Sequence, residues 1–162
     1  MRKNSGFTIM ELSVVIALIG ILSAIAVPAF VNWLPNFRLT NGVNHIHAIV
    51  QDARLQAVKE NGRIAVLLDP DGDGQLDGNY QVFIDDNMNW NHDVGETMLA
   101  EGEVRTGVRV TDTGFANGRF GFNSRGLRVV SGAPSYNTIT LSNSEGRTKS
   151  LTIEITGNAR IN

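Results

Sequence analysis

Apolar residues form one unbroken block near the start of the chain and short alternating groups after it. Residues 12–31 include no charged side chain, and Ser13 and Ser23 are their only polar side chains. About 20 such residues in a helix cover about 30 Å, which is the hydrocarbon thickness of a bilayer. The block therefore predicts a membrane-spanning helix.

A helical period returns after the apolar block, from about Arg38. One face is apolar, whereas Arg54, Lys59 and Glu60 fall on a solvated face. Asn61-Gly62 is a typical C-terminal stop, and Pro28 predicts a kinked or loosened helix and Pro35 a second break. We expect one long, interrupted helix whose second half is amphipathic. Its predicted inward positions are Val43, Ile46, Val50, Ala53 and Ala57.

Short segments separated by Gly, Asn, Asp and Ser follow the helix, which is typical of strands joined by turns. The predicted strands are 63–68, 80–84, 97–100, 108–111, 119–123, 127–130, 138–142 and 150–155. The fold class is therefore α+β: a long N-terminal helix, apolar anchor first and amphipathic half second, packed on an antiparallel β-sheet or β-sandwich head.

The near-neutral total charge hides a strong segregation. The chain has 14 basic and 16 acidic residues and no Cys, which excludes a disulfide scaffold and Cys-based metal sites. Residues 61–102 carry nine acidic groups and one basic group, whereas residues 103–162 carry eight basic and four acidic groups. Arg2 and Lys3 precede the apolar block, so the N-terminus is expected to stay in the cytoplasm.

The apolar block has two interpretations, a cleaved secretory signal and a retained anchor. No small-residue cleavage site is followed by a polar start, and the apolar run continues through Pro28 to Leu34. Both features favour a retained anchor.

The string Gly6-Phe7-Thr8-Ile9-Met10-Glu11 stands between the basic leader and the apolar block. An ionisable group at the edge of the hydrocarbon is costly and predicts a function with a charged partner. The alternative is that Glu11 extends to the lipid headgroups. That alternative does not account for the residues that precede it.

Residues 2–31 resemble the class III signal of type IV pilins and type II secretion pseudopilins: a basic leader, Gly6, Phe7, Glu11 and an apolar helix with Pro28. The resemblance implies that prepilin peptidase cleaves between Gly6 and Phe7 and methylates Phe7. It also implies that Glu11 pairs with the terminal amine of a neighbouring subunit during assembly. The expected organisation is a leader 1–6, a transmembrane assembly helix 7–35 and a periplasmic pilin-like head 36–162.

The rest of the chain is similar to the GspH/FimT-type minor pseudopilins. The residues that carry this resemblance are 52–57 in the helix, 80–86, 95–96, 120–126 and the closing 157–161. The resemblance implies a structural subunit of the bacterial inner membrane that primes or caps a periplasmic filament of a type IV pilus or type II secretion machinery. Its implied partners are other pilins, the membrane and prepilin peptidase.

Two acidic segments have the spacing of calcium loops, in which alternate oxygens converge on one cation. The first has Asp at loop positions 1, 3, 5 and 9 and Gly at 6, but Tyr80 replaces the Glu of position 12. The second has Trp90 where Gly is expected. The alternative is that both are solvated turns. The candidate calcium ligands are Asp69, Asp71, Asp73, Asp77, Asp85, Asn87, Asn89, Asp93 and Glu96.

The basic C-terminal third suggests an alternative function, a tip module that captures DNA. Its candidate contacts are Arg160, Arg147 and Lys149. In some FimT-type pilins a C-terminal Gly-Arg-x-Arg stretch is implicated in DNA capture, and residues 157–160 keep only Arg160 of it. Arginines on solvated strand faces are the simpler interpretation.

No motif of an enzyme is present: the chain has no G-x-S-x-G, H-E-x-x-H or P-loop spacing. His45 and His47 are two residues apart on the predicted helix, so they face different sides and do not form a shared site. The chain is not expected to be an enzyme or to hold a cofactor other than calcium.

Overall fold

A computed structural model describes residues 8–69, 71 and 74–162. The chain forms two compact units, the first ending at Leu34 and the second extending from Pro35 to Asn162. One helix, α1, extends from Ile9 to Lys59. Its hydrogen-bonded helical structure continues through Pro28 and Pro35, so the break predicted at Pro35 is wrong, whereas a kink at Pro28 stays a prediction. A proline removes one backbone donor, and the bonds on either side hold these turns together.

The amphipathic half of α1 has the predicted inward face. Val43, Ile46, Val50, Ala53 and Ala57 are all buried, together with Leu39 and Gly42. Gly42 lies close to a neighbouring strand, since a Cβ on it would be 3.0 Å from Cγ1 of Val108. Each buried Val or Ile side chain contributes about 1.5–3 kcal/mol of transfer free energy. This stripe is therefore a large part of the head's stability.

The C-terminus of α1 is a Schellman motif at the predicted stop. Asn61 has a positive φ of 50°, and the N–H of Gly62 donates to the carbonyl of Ala57 at 3.2 Å. The N–H of Asn61 donates to the carbonyl of Val58 at 3.4 Å. These bonds satisfy carbonyls that the end of a helix leaves without partners.

Among the described residues, nine strands follow α1, all paired antiparallel. They are β1 Ile64–Leu67, β2 Asn79–Ile84, β3 Met98–Glu103, β4 Val108–Thr113, β5 Arg119–Phe122, β6 Arg128–Val130, β7 Thr138–Asn143, β8 Thr148–Ile153 and β9 Ala159–Ile161. A short 3-10 turn, Ala116–Gly118, precedes β5. The eight predicted strands are all present with shifted ends, and β9 was not predicted.

The strands form two sheets. The first has the order β3-β2-β1-β5-β6 and the second the order β4-β7-β8-β9. The stripe of α1 shares one hydrophobic core with the inner side chains of both sheets. The predicted α+β class, a long helix packed on antiparallel sheets, is therefore confirmed.

The central strand β1 is buried on both faces. Ile64 and Val66 belong to the core under α1, whereas Ala65 and Leu67 pack on the opposite face with Phe83 and Trp90. The acidic segment that contains Trp90 is thus the outer cover of the first sheet.

The close pairing of β1 and β5 requires glycine at position 121. Gly121 is opposite Ala65, and a Cβ on it would be 2.2 Å from the carbonyl oxygen of Ile64. Real Cβ atoms do not approach backbone oxygens so closely, so Gly121→Ala should force the two strands apart. We expect a loss of about 1–3 kcal/mol in the free energy of unfolding, measured by denaturant titration of the detergent-solubilised chain. Gly20→Ala is the matched control, because a Cβ there meets nothing within 4 Å. An equal result for the two variants would contradict this account of the pairing.

Candidate functional site

The first half of α1 exposes its apolar side chains. Within the described residues, α1 is the one helix that is long and apolar enough to cross a membrane, and none of its most apolar window is buried. Ile16 is 61% exposed and Leu22 is 67% exposed. A continuous apolar surface of this kind marks a contact with lipid or with other apolar surfaces.

Glu11 belongs to a capping box at the start of this helix. Both the backbone N–H and the hydroxyl of Thr8 donate to Oε2 of Glu11 at 2.9 Å, and the N–H of Glu11 donates to the Thr8 hydroxyl at 3.2 Å. Thr8 is thereby the N-cap and Glu11 the N3 residue. A Thr-x-x-Glu spacing before an apolar run is the sequence signal for such a box. Sequence reasoning assigned Glu11 an assembly role and missed this local one.

The predicted processing site, Gly6 and Phe7, lies outside the described residues. Pro28 lies within α1 and is exposed. Cleavage between Gly6 and Phe7 and the assembly roles of Glu11 and Pro28 stay predictions.

Arg54 joins α1 to one turn from each sheet. Its Nε donates to the carbonyl of Gly126, in the β5–β6 turn, at 3.1 Å. Its Nη1 donates to Oδ1 of Asn158, in the β8–β9 turn, at 2.8 Å. The predicted solvated position of Arg54 is therefore wrong: the side chain is half-buried. A helical pattern places a residue on a face but does not show which turns approach that face.

The two turns meet closely beneath Arg54. A Cβ on Gly157 would be 2.2 Å from the carbonyl oxygen of Gly126 and 2.8 Å from Nε of Arg54. Both glycines also have positive φ angles, which L side chains rarely adopt. Arg54, Gly126 and Gly157 thus lie in contact, and they come from three of the segments that carry the GspH/FimT resemblance (52–57, 120–126 and 157–161).

The second acidic loop, residues 85–96, is ordered by bonds among its own residues. The carboxylate of Asp85 accepts from the N–H groups of Asn89, at 3.0 Å, and Trp90, at 3.3 Å. The amides of Asn87 and Asn89 donate to Oδ2 of Asp93. These two donors lower the pKa of Asp93, because they stabilise the ionised carboxylate.

The same loop is fastened to the sheet by a buried charge pair. Asp85 is fully buried, and its Oδ2 lies 3.3 Å from Nε of Arg63. The Arg63 guanidinium also lies over the Trp90 ring, 3.7 Å from its centre. Burial lowers the pKa of Arg63, and the charge of Asp85 opposes this shift. Trp90 has a positive φ of 67°, the conformation for which the calcium-loop pattern expects Gly.

The first acidic loop is described only in part. Asp69 is buried, and its Oδ2 accepts from the N–H of Gly74 at 3.1 Å. Asp71 and Asp77 are exposed, and Asp73 lies outside the described residues. Within the described residues, no three His, Asp or Glu side chains form a group that would hold a metal ion. Calcium also accepts the oxygens of Asn side chains and of backbone carbonyls, so calcium binding stays a prediction.

The predicted DNA contacts lie at two ends of the second sheet. Arg160 on β9 is opposite Thr152 and donates to Asn162. Arg147, in the β7–β8 turn, lies 3.8 Å from Oε2 of Glu145, and Lys149 is opposite Leu141. The five residue steps from position 147 to position 152 extend about 17 Å in a strand. The structure brings Arg147 and Lys149 together and leaves Arg160 apart.

His45 and His47 face different strands, as their spacing predicts. His45 Nε2 is 3.2 Å from the Tyr80 hydroxyl, and His47 Nε2 is 3.2 Å from the carbonyl of Ala159. They belong to the packing of α1 on the two sheets.

Two family models match the chain. The model described as Type II transport protein GspH matches residues 42–158, which contain the second half of α1 and most of the nine strands. The model described as Prokaryotic N-terminal methylation motif matches residues 1–27.

Known relatives are pilins. The chain is 30% identical to a fimbrial protein of Pseudomonas aeruginosa over 114 residues, which are 69% of this chain and 62% of that protein. The chain thus spans about three fifths of the length of that relative. It is 28% identical to the pilin-like protein PilA1 of Thermus thermophilus over 162 residues, which cover 96% of this chain and 97% of the relative.

The fold is similar to that of a solved minor pilin. The crystal structure of the type IV minor pilin FimU from Pseudomonas aeruginosa superposes with a TM-score of 0.56 at 14% identity. The match covers 76% of this chain and 92% of FimU. At this identity the likeness concerns the fold alone.

Replacing Arg54 should loosen the head. We expect Arg54→Ala to lower the free energy of unfolding by about 1.5–3 kcal/mol, because two bonds from a charged donor are lost. Arg54→Lys should recover less than half of the loss, since an ammonium cannot reproduce the fork of donors. Denaturant titration of the full chain in detergent measures both.

Lys59→Ala is the control for this test, because the Lys59 pair with Glu60 is exposed and is worth at most about 1 kcal/mol. The assigned role of Arg54 is contradicted if Arg54→Ala and Lys59→Ala have the same effect.

The predicted calcium loops can be tested by titration. Adding calcium to the full chain in detergent should release or absorb heat and raise the melting temperature. Asp93→Asn should remove the share of the heat and of the temperature shift that comes from the second loop. Asp52→Asn, at an exposed position on α1, should leave both unchanged. Absence of both the heat and the temperature shift in the unmodified chain would show that the loops are turns without metal.

Proposed function

Since the chain belongs to the GspH family and carries the pilin-type N-terminal methylation motif, we propose that it primes or caps a periplasmic filament of a type IV pilus or type II secretion machinery. Members of this family are structural subunits rather than enzymes. The chain is accordingly a pilin-like subunit of one of these two machineries, and its position in the filament is the proposed part.

The observation that carries the proposal is the exposure of the first half of α1. No residue of its most apolar window is buried by the described chain. Each large apolar side chain that leaves water gains about 1.5–3 kcal/mol. The segment is stable in lipid before assembly and among the helices of other pilins after assembly. The same apolar surface is therefore covered both in the membrane and in the filament.

The capping box supports the proposed role of Glu11 in assembly. Among the described residues, both donors to the carboxylate go to Oε2, which leaves Oε1 for the cation of another chain. Cleavage between Gly6 and Phe7 would make Phe7 the terminal residue and supply each subunit with an ammonium group. A carboxylate and an ammonium in an apolar bundle stabilise one another, because each alone carries a large desolvation cost.

The proposed topology follows from the leader. Arg2 and Lys3 precede the apolar segment, which favours a cytoplasmic N-terminus. The head would then lie in the periplasm of a bacterium, with the anchor in the inner membrane.

The alternative function, capture of DNA at a filament tip, requires arginines that contact one backbone. Arg160 lies at the opposite end of β8 from Arg147, so no three-residue site is formed. We therefore prefer the assembly role.

Glu11→Ala should reduce incorporation of the chain into filaments by at least about tenfold, because the neighbouring ammonium would be buried without its partner. The amount of the chain in sheared filaments, relative to the amount in the membrane, measures the effect. The melting temperature of the head should not change.

Thr8→Val separates assembly from helix capping. It removes the Thr8 hydroxyl from the capping box, at a cost of about 1 kcal/mol, and retains the Glu11 carboxylate. We expect Thr8→Val to assemble much better than Glu11→Ala. Equal assembly defects in Thr8→Val and Glu11→Ala would mean that Glu11 acts only as a capping residue. Normal assembly of Glu11→Ala would contradict its proposed role outright.

A further inference from the structure

Basic side chains gather at the end of the head that follows the apolar segment. We call this end the basal face and define it by Arg38 on α1, Arg105 and Arg109 around the β3–β4 turn, and Arg147 and Lys149 at the start of β8. The four arginines are exposed. The predicted assembly role uses none of them.

The β3–β4 turn lies against the first helical turns of the head. A Cβ on Gly107 would be 3.7 Å from Nη1 of Arg38. The N–H of Val108 donates to the carbonyl of Arg105 at 3.0 Å, which closes this turn. The turn that carries Arg105 and leads into Arg109 therefore lies beside Arg38.

The β7–β8 turn is attached to the same part of α1 by Asn143, a buried polar residue. The amide of Asn143 donates to Oδ1 of Asn36 at 3.3 Å. Its Oδ1 accepts from the N–H groups of Glu145 and Arg147 at 3.0 Å. Asn143 therefore holds Arg147 beside the start of the head.

A groove of about 380 Å³ lies along the paired ends of β4 and β7 beside the two turns, lined by Gly107, Arg109, Thr111, Ser142, Asn143 and Ser144. Arg109 and Ser142 are directly opposite each other in the β4–β7 pairing. One guanidinium with several hydroxyl groups is a donor set that suits a phosphate ester.

The acidic side chains nearby do not enter this groove. Glu145 lies 3.8 Å from Arg147. Glu103 is opposite Asn79 in the β2–β3 pairing, and Asp112 on β4 is opposite Thr140. None of the described residues that line the groove is acidic. The basal face is defined by five cationic groups, and Glu145 is the carboxylate that an ion pair joins to one of them.

The position of these residues in the chain points to the membrane surface. Arg38 follows Val31, the last residue of the apolar segment, by only seven positions in the sequence. Basic groups directly after a membrane segment attract anionic lipid headgroups within a Debye length of the surface.

We infer that the basal face binds the phosphate groups of anionic phospholipids, with Arg109 and the hydroxyl-lined groove as the headgroup site. The inference depends on the proposed membrane anchor and goes beyond the assembly role. Binding of this kind seats the head on the bilayer before the subunit is extracted into a filament.

The experiment uses the full chain in phosphatidylcholine vesicles, with or without phosphatidylglycerol. Because the chain has no Cys, Thr106→Cys provides a single site for a fluorescent donor on the β3–β4 turn. An acceptor on the lipid headgroups then reports how close the basal face is to the surface. Energy transfer should be higher with phosphatidylglycerol, and roughly 0.5 M salt, which reduces the Debye length to about 4 Å, should remove the difference.

The charge variants identify the site. Arg109→Gln with Arg147→Gln should lower the ratio of docked to free heads about thirtyfold, on the basis of two charges near the surface. Arg125→Gln with Arg160→Gln removes the same charge from other exposed positions and should leave the transfer unchanged.

Four results would overturn the inference. The first is equal energy transfer in vesicles with and without phosphatidylglycerol, and the second is an equal loss of docked heads in the two double variants. The third is full competition by millimolar inorganic phosphate, with no preference for the lipid. The fourth is binding of duplex DNA that depends on Arg109 and Arg147 while the lipid has no effect. A chain that does not float with the vesicles contradicts the anchor as well. A chain that floats with the vesicles but has the same energy transfer with and without phosphatidylglycerol contradicts this inference alone.

Discussion

The packing of the α1 stripe against both sheets is the interaction on which the rest of the head depends. Val43 and Val50 are completely buried, and they belong to a core that takes side chains from both sheets. The sheets form separate hydrogen-bonded networks, so the helix is what gives them a shared interior. Arg54 adds polar bonds at the far end of this stripe, to one turn from each sheet. The loops and edges that carry charge are positioned by this arrangement.

The same helix therefore has two surfaces with different partners. Its second half is covered within the chain, whereas the apolar window of its first half has no buried residue. Glu11 caps the exposed half, and the basal face surrounds the beginning of the covered half. Along the chain the carboxylate comes first, the apolar segment follows it, and the arginine of the basal face on α1 comes last. The head can stay folded through this transfer, because its core does not include the apolar segment.

Local pattern predicted most elements of the fold. The period of the second half of α1 identified its buried residues, and alternation with turn residues identified eight strands. Strand β9 was missed because its three residues are stabilised by pairing with β8 rather than by their own pattern. The division into two sheets was left open, since pairings such as β1 with β5 join segments that are distant in the chain. Arg54 and Asn143 were missed for the same reason: their partners come together only in the folded head. The methylation motif was recognisable because it is contiguous.

The central claim is that the exposed half of α1 is buried among other pilin helices in the assembled filament. Crosslinking from a photoreactive residue placed at Leu22, which is 67% exposed in the isolated chain, tests it most directly in cells that produce the filament. The account predicts an adduct with the N-terminal helix of another pilin-like subunit, which is lost in Glu11→Ala. Adducts with lipid only, or adducts that persist unchanged in Glu11→Ala, would contradict it.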